Sequence, residues 1–304
     1  MNRFFFIYLI YLLPLALNAQ EKSLALSDSS KEIQPLNLKS YTALLLNDFK
    51  TQATAPFKIN SEQAIHLGEF AIITAGLIVE DGSIDKIAKK QKPDNPFINA
   101  TSPVITQFGD TYGLYSVGVF ELYGLVAGDK KAQVTGLLAT QAIITSGIWV
   151  HIGKLATGRE RPSASYSNSH KPGGKWYGLF NCIDDFETTK KVPGASYDAF
   201  PSGHTSTAFS IATVFAKMYS DTPAIPIIAY SAATLVGFSR LTEHAHWMSD
   251  VFVGATLGYL CGNQVVNNYR NTYKLHAPHR KLKNINLCLD YNNKEFFAGV
   301  NHKF

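Results

Sequence analysis

Residues 200–218 read FPSGHTSTAFSIATVFAKM. Pro201 and Ser202 precede a run from Thr205 to Met218 whose apolar members return at helical intervals. A helix capped by Ser202 is therefore expected, with the amides of Gly203 and His204 in its first turn. Apolar segments rich in Ala, Leu, Ile and Gly recur at 64–79, 111–127, 132–153, 223–239 and 250–266, and strand alternation is rare among them. The fold class read from this pattern is all-α, a helical bundle. Asn60-Ser61, Gly128-Asp129 and Thr222-Pro223 supply the expected helix punctuation.

The chain of 304 residues is 46% hydrophobic and 17% charged, enough for one substantial core. Residues 1–19, MNRFFFIYLIYLLPLALNA, join a basic start at Arg3 to an apolar run and small residues at Ala16 and Ala19, the layout of a secretory signal peptide. Export to the periplasm, with a mature chain starting near Gln20, is the expectation. The organisation that follows is an N-terminal extension over 20–59, a helical catalytic domain over 60–269 and a basic tail over 270–304. The tail holds seven Lys or Arg against Asp290 and Glu295, so it carries the whole formal charge of +5. Its alternation about Asn292-Asn293 fits a short hairpin. Cys182, Cys261 and Cys288 allow at most one disulfide and no CxxC metal site.

The segment 132–153 is free of charge and long enough to span a bilayer. Its Gln133, Thr135, Gln141 and His151, together with a mean hydropathy of −0.03 for the chain, favour helices buried in a soluble bundle, with contact at a membrane surface. An integral membrane protein with a periplasm-facing site is the alternative. No basic patch interleaved with aromatics argues for nucleic acid. The stretch 163–200, rich in Gly, Pro, Lys and aromatics, reads as a long functional loop.

Three stretches carry chemistry: KLATGRERP (154–162), FPSGHTST (200–207) and SRLTEHAHWMSD (239–250). Free N–H groups at the start of the PSGH helix offer an anion site, and Gly203 lets an oxyanion approach the backbone. A helix beginning near His246 would place His246 and Asp250 four apart on one face, where the carboxylate fixes the imidazole tautomer. His244 has Met248 in that place and reads as a loop or surface residue. A metal site is disfavoured because the companions of the histidines are Lys154, Arg159, Arg161 and Arg240, which suit a phosphate. Chemistry alone leaves Arg159 and Arg161 both open as phosphate ligands. His151 and Cys261 are expected to pack against neighbouring helices, and Gly254 and Gly258 to permit close helix packing.

The spacing K-x6-RP (Lys154 to Arg161-Pro162), then PSGH (201–204), then SR-x5-H-x3-D (Ser239, Arg240, His246, Asp250) resembles the three-part signature of the type 2 phosphatidic acid phosphatase superfamily. That superfamily includes bacterial class A acid phosphatases and vanadium haloperoxidases. The resemblance implies that Lys154, Arg161 and Arg240 bind phosphate oxygens, helped by the Ser202 hydroxyl and the Gly203 amide. It further implies that His246 attacks phosphorus, that Asp250 orients it, and that His204 protonates the leaving alcohol and then activates water. Arg159 is left to pair with Glu160 or solvent. The site is expected between core helices and needs no metal or other cofactor.

The function so implied is a phosphatase acting on monoesters or diphosphates of a lipid or small alcohol through a phosphohistidine. Trp176, Tyr177, Phe180 and Phe186 are the residues expected to meet the leaving group. A vanadate-dependent haloperoxidase and a non-catalytic phosphate-binding envelope protein are the competing readings.

Overall fold

Asn37, Asn60 and Asp129 each turn a side-chain oxygen onto the free amides of a helix start, and those three caps begin the main helices of the first half of the chain. A computed structural model describes residues 33–167, 173–179 and 197–275, with the backbone of 285–292 and 295–302. The expected leader and Phe180, Cys182 and Phe186 lie outside these residues. The described helices are α1 (Leu38–Thr54), α2 (Ser61–Asp94), α3 (Pro96–Thr106), α4 (Thr111–Ala127), α5 (Lys130–Thr157), a short α6 (Pro162–Ser167), α7 (Gly203–Met218), α8 (Ala224–Thr242) and α9 (Met248–Thr272). In the tail, β1 (Ile285–Asn292) pairs antiparallel with β2 (Glu295–His302), Asn292 opposite Glu295.

Helix α7 lies at the centre and packs against α5, α8 and α9. Its buried side chains are small and partly polar, among them Thr205, Ser206, Ser210 and Thr213. The partners come very close. A Cβ added at Gly254 or Gly258 would collide with the carbonyl oxygens of Ser202 and Ser206, and one at Gly262 would stand 2.9 Å from that of Ser210. Three glycines four apart thus meet three serines four apart in the same chain direction, so α7 and α9 run parallel with both N-termini at one end.

Three helices differ from expectation, α3 because no apolar segment was expected over 96–106. α1 lies in the stretch taken as an extension, yet it docks on the bundle. Gln141 Nε2 donates to the Tyr41 carbonyl (2.8 Å), Trp149 Nε1 to Gln52 (2.7 Å) and Asn268 Nδ2 to Asp48 (2.7 Å). α2 runs to Asp94 rather than ending near 79, because the face it buries there is Asp81, Gly82, Asp85 and Ala88, a pattern with little apolar signal.

The outer faces also depart from the soluble-bundle expectation. Ile144, Ile148, Ile152 and Leu155 form an exposed stripe on α5, and Ile227, Ile228, Leu235 and Phe238 are exposed on α8. These two helices are long and apolar enough to cross a membrane, and only 44% and 33% of their most apolar windows is buried by protein. His151 is exposed rather than packed, whereas Cys261 is buried. Substituting Gly258→Ala drives a methyl into the Ser206 carbonyl, so a loss of about 1–3 kcal/mol is expected. Thermal unfolding of the purified variant beside wild type measures it.

Candidate active site

The parallel start of α7 and α9 brings PSGH beside His246. The Ser202 amide donates to the Asp250 carbonyl (3.0 Å), and Ala199, just upstream, donates its amide to the Arg159 carbonyl (3.0 Å). α5 and α8 end where α7 and α9 begin, contributing Lys154 from the last turn of one and Arg240 from the last turn of the other. Two helix N-termini and the cations Lys154, Arg161 and Arg240 therefore gather at one end of the bundle.

His246 does not start a helix. Trp247 is the N-cap and α9 begins at Met248, so the imidazole lies one residue outside. Its Nδ1 is 2.8 Å from the Ala199 carbonyl, while Asp250 Oδ2 is 3.7 Å away, beyond hydrogen-bond reach. A carbonyl only accepts, so Nδ1 carries the proton and Nε2 keeps its lone pair. The expected orienting bond from Asp250 is thus made by Ala199, because the carboxylate is otherwise engaged. Asp250 Oδ2 accepts from the Trp247 amide (2.8 Å), capping the first turn, and Oδ1 accepts from Arg159 (2.6 Å).

Arg159 shows the largest departure from expectation. Gly158 ends α5 in the left-handed conformation (φ 51°), and Arg159 is fully buried rather than facing Glu160 or solvent. Its guanidinium donates to Asp250 and Ser249 (2.6 Å each), to Asp81 (2.6 Å) and to the Gly173 carbonyl (2.8 Å). Trp176 and Trp247 stack on it at 4.4 and 5.5 Å. Asp81 also accepts from the Ser249 amide (2.9 Å). Asp81 lies in a stretch with no motif, so only its burial in three dimensions identifies it.

The other expected residues fall as follows. Lys154 and Arg161 both bind Asp198, at 2.9 and 2.7 Å. Arg240 is buried, donates to the Thr106 hydroxyl, and keeps its Nε without a hydrogen-bond partner among the described residues. Ser202 occupies the cap position of α7, but its hydroxyl pairs with that of Thr205 (2.9 Å) instead of a helix amide. Packing leaves space for a Cβ at Gly203, whose nearest neighbour would be Val150 at 3.6 Å, so the protein's own contacts do not demand glycine there. His244 lies in the loop between α8 and α9, as expected, and is half-buried there with Nδ1 2.8 Å from Asp85 of α2.

The cations act on both histidines. Burial pushes His246 well below its ordinary value, and Arg161, Arg240 and Lys154 add to that, which makes the imidazole neutral. Burial and then Arg240 push His204 down to about 4, opposed by Asp110. Asp110 Oδ2 is 3.8 Å from His204 Nε2. The turn at 107–110 reaches the histidine because Gly109 has no side chain, a Cβ there standing 2.6 Å from the His204 carbonyl oxygen. Sequence reading missed Asp110 for want of any motif around it. From the insert, Trp176 forms a backbone β-bridge with Arg159 and packs at a tilt against Phe200 (5.3 Å), and Tyr177 meets Tyr197 edge-on (4.8 Å).

Residues 135–274 match the profile of the PAP2 superfamily. A lipid A 1-phosphatase of Porphyromonas gingivalis is 43% identical over 70 residues, 23% of this chain and 16% of that protein. A lipid A 1-phosphatase of Rhizobium etli is 26% identical over 167 residues, covering 51% and 64%. Lipid phosphate phosphatase 1 of Arabidopsis thaliana is 30% identical over 145 residues, 43% of each chain. The chain spans less than two thirds of the length of each of these relatives.

Removing Arg159 would strand two buried carboxylates. Arg159→Ala is expected to cost about 3–5 kcal/mol, read from denaturant unfolding.

Proposed function

We propose that the chain is a member of the PAP2 superfamily, whose profile its residues 135–274 match, and that it is a metal-independent phosphatase working through a phosphohistidine, with a lipid phosphate as its substrate class. The observation that carries the reading is the state of His246, a buried neutral imidazole with Nδ1 held by Ala199 and Nε2 without a hydrogen-bond partner among the described residues, set among three cations.

In this reading Nε2 of His246 attacks phosphorus while the ester P–O bond breaks. The substrate's negative charge offsets the cations that add to burial in keeping His204 neutral, and the imidazole so protonated gives its proton to the departing oxygen. Neutral His204 then takes a proton from water, which attacks the phosphohistidine. The P–N bond breaks and inorganic phosphate leaves. Lys154, Arg161 and Arg240 hold the equatorial oxygens, where charge gathers in the transition state, and the unpaired Nε of Arg240 is a ready donor. The first-turn amides of α7 add two more donors, with Gly203 leaving the approach open. Asp250 keeps the start of α9 in register with His246 through the Trp247 amide.

The lipid class is supported by the placement of the site against the apolar faces. The residues of the site lie at one end of the bundle, and the exposed stripes of α5 and α8 run from that end along its flank. A bilayer covering those stripes would hold a lipid's chains beside the flank and its phosphate at the helix ends. We assign the same faces a membrane-embedded state, in place of the soluble bundle expected from composition. The leader expected at 1–19 would put the site on the extracytoplasmic side.

Purified protein in EDTA is expected to release phosphate from a panel of phosphate esters, with lipid phosphates ahead of soluble ones. His246→Ala should lower turnover at least about a thousandfold. Activity that needs added metal, or that survives in His246→Ala, refutes the mechanism. The His204–Asp110 contact adds a pH test. The carboxylate favours the protonated imidazole that the first step requires, and Asp110→Asn removes that help. The alkaline limb of kcat/KM against pH should therefore move to lower pH in the variant.

A further inference from the structure

The two cations at the ends of the K-x6-RP stretch do not wait unpaired for substrate. Asp198 holds both with one oxygen each, Oδ2 on Lys154 Nζ (2.9 Å) and Oδ1 on Arg161 Nε (2.7 Å), the two-point grip that two oxygens of a phosphate would use. We propose that Asp198 is an internal competitor of the phosphate dianion, which weakens the site's hold on substrate and product phosphate by occupying two of its three cations. This inference rests on the assignment of Lys154 and Arg161 as phosphate ligands.

Asp198 is not a wandering surface carboxylate. The next residue, Ala199, is fully buried and tied on both sides, its amide to the Arg159 carbonyl and its carbonyl to His246 Nδ1. The backbone of Asp198 is thereby fixed beside the nucleophile. Its side chain keeps 33% of its surface exposed, against 15% for Lys154 and 20% for Arg161, so it is the partner with room to swing toward solvent. Arg161 and Lys154 hold the carboxyl below its ordinary value despite burial, so it is ionised wherever a phosphate would bind as a dianion. A dianion reaching Lys154 and Arg161 must either displace this charge or sit beside it, and like charge disfavours both occupants together.

The arrangement bears on turnover. Three fixed cations and two helix N-termini form a site from which inorganic phosphate leaves slowly. A tethered carboxylate that returns to two of the cations lowers that affinity without removing them from the transition state.

Inorganic phosphate titrated calorimetrically into the full chain reads the product side, and KM for the best ester of the panel reads the substrate side. Asp198→Asn should bind inorganic phosphate about threefold tighter or more than wild type, with KM falling in the same direction, and Asp198→Glu should stay near wild type. Asp198→Ser, smaller and also neutral, should move as the amide does if the amide is not accommodated. Unchanged or weaker phosphate binding in a neutral variant that keeps the wild-type melting temperature overturns the proposal and makes Asp198 a support for the cation pair. The titration needs no turnover, so a failure of the phosphatase reading, seen as no ester hydrolysis by wild type, is a separate result.

Discussion

The close parallel contact of α7 with α9 governs the rest of the molecule. Serine carbonyls at 202, 206 and 210 face glycines at 254, 258 and 262, and no residue with a side chain could replace the first two glycines without moving a helix. Because the contact is parallel, two positive helix ends arrive side by side. That place favours an anion, and His204, His246 and the cations Lys154, Arg161 and Arg240 gather there. The loop carrying His246 and the strap carrying Asp198 and Ala199 are both referenced to this contact through the bond from the Ser202 amide to Asp250.

Charge is arranged in two layers behind that surface. In front stand Lys154, Arg161 and Arg240, which depress the basicity of both histidines. Behind them Arg159 is locked between Asp81 and Asp250, with Trp176 and Trp247 closing it from water. A guanidinium so enclosed is shut off from a substrate oxygen by its complete burial, although its Nε has no hydrogen-bond partner among the described residues. Its work is mechanical, joining α2, α9 and the insert into one wall. Of the two neighbouring arginines of GRERP, Arg161 is partly exposed and held by Asp198, while Arg159 faces the core.

Polar and apolar side chains are both found where a simple inside–outside rule would not put them. Hydroxyls of Thr205, Ser206, Ser210 and Thr213 are buried on the central helix, while isoleucines and leucines line the outside of α5 and α8. Small polar side chains let backbones approach closely, and large apolar ones face the surroundings. A mean hydropathy near zero conceals this, since composition does not record which face a residue occupies.

The helical character of residues 200–272 and the three stretches that supply the cations and histidines of the candidate site were legible along the chain, because each depends on local spacing and residue chemistry. Asp81, Asp110 and Asp198 were not. Each lies in a stretch without periodicity or motif and acquires its partner from a segment far away, so only the packed backbone brings the charges together. The same holds for the start of α9. An i, i+4 pair read from spacing assumes a helix that includes His246, whereas the cap formed by Trp247 and Asp250 leaves the imidazole outside and gives its proton to the Ala199 carbonyl. Local sequence determines which groups are present and which can begin a helix. Which oxygen faces which nitrogen is decided by long-range contact, where differences of an ångström separate a hydrogen bond from none.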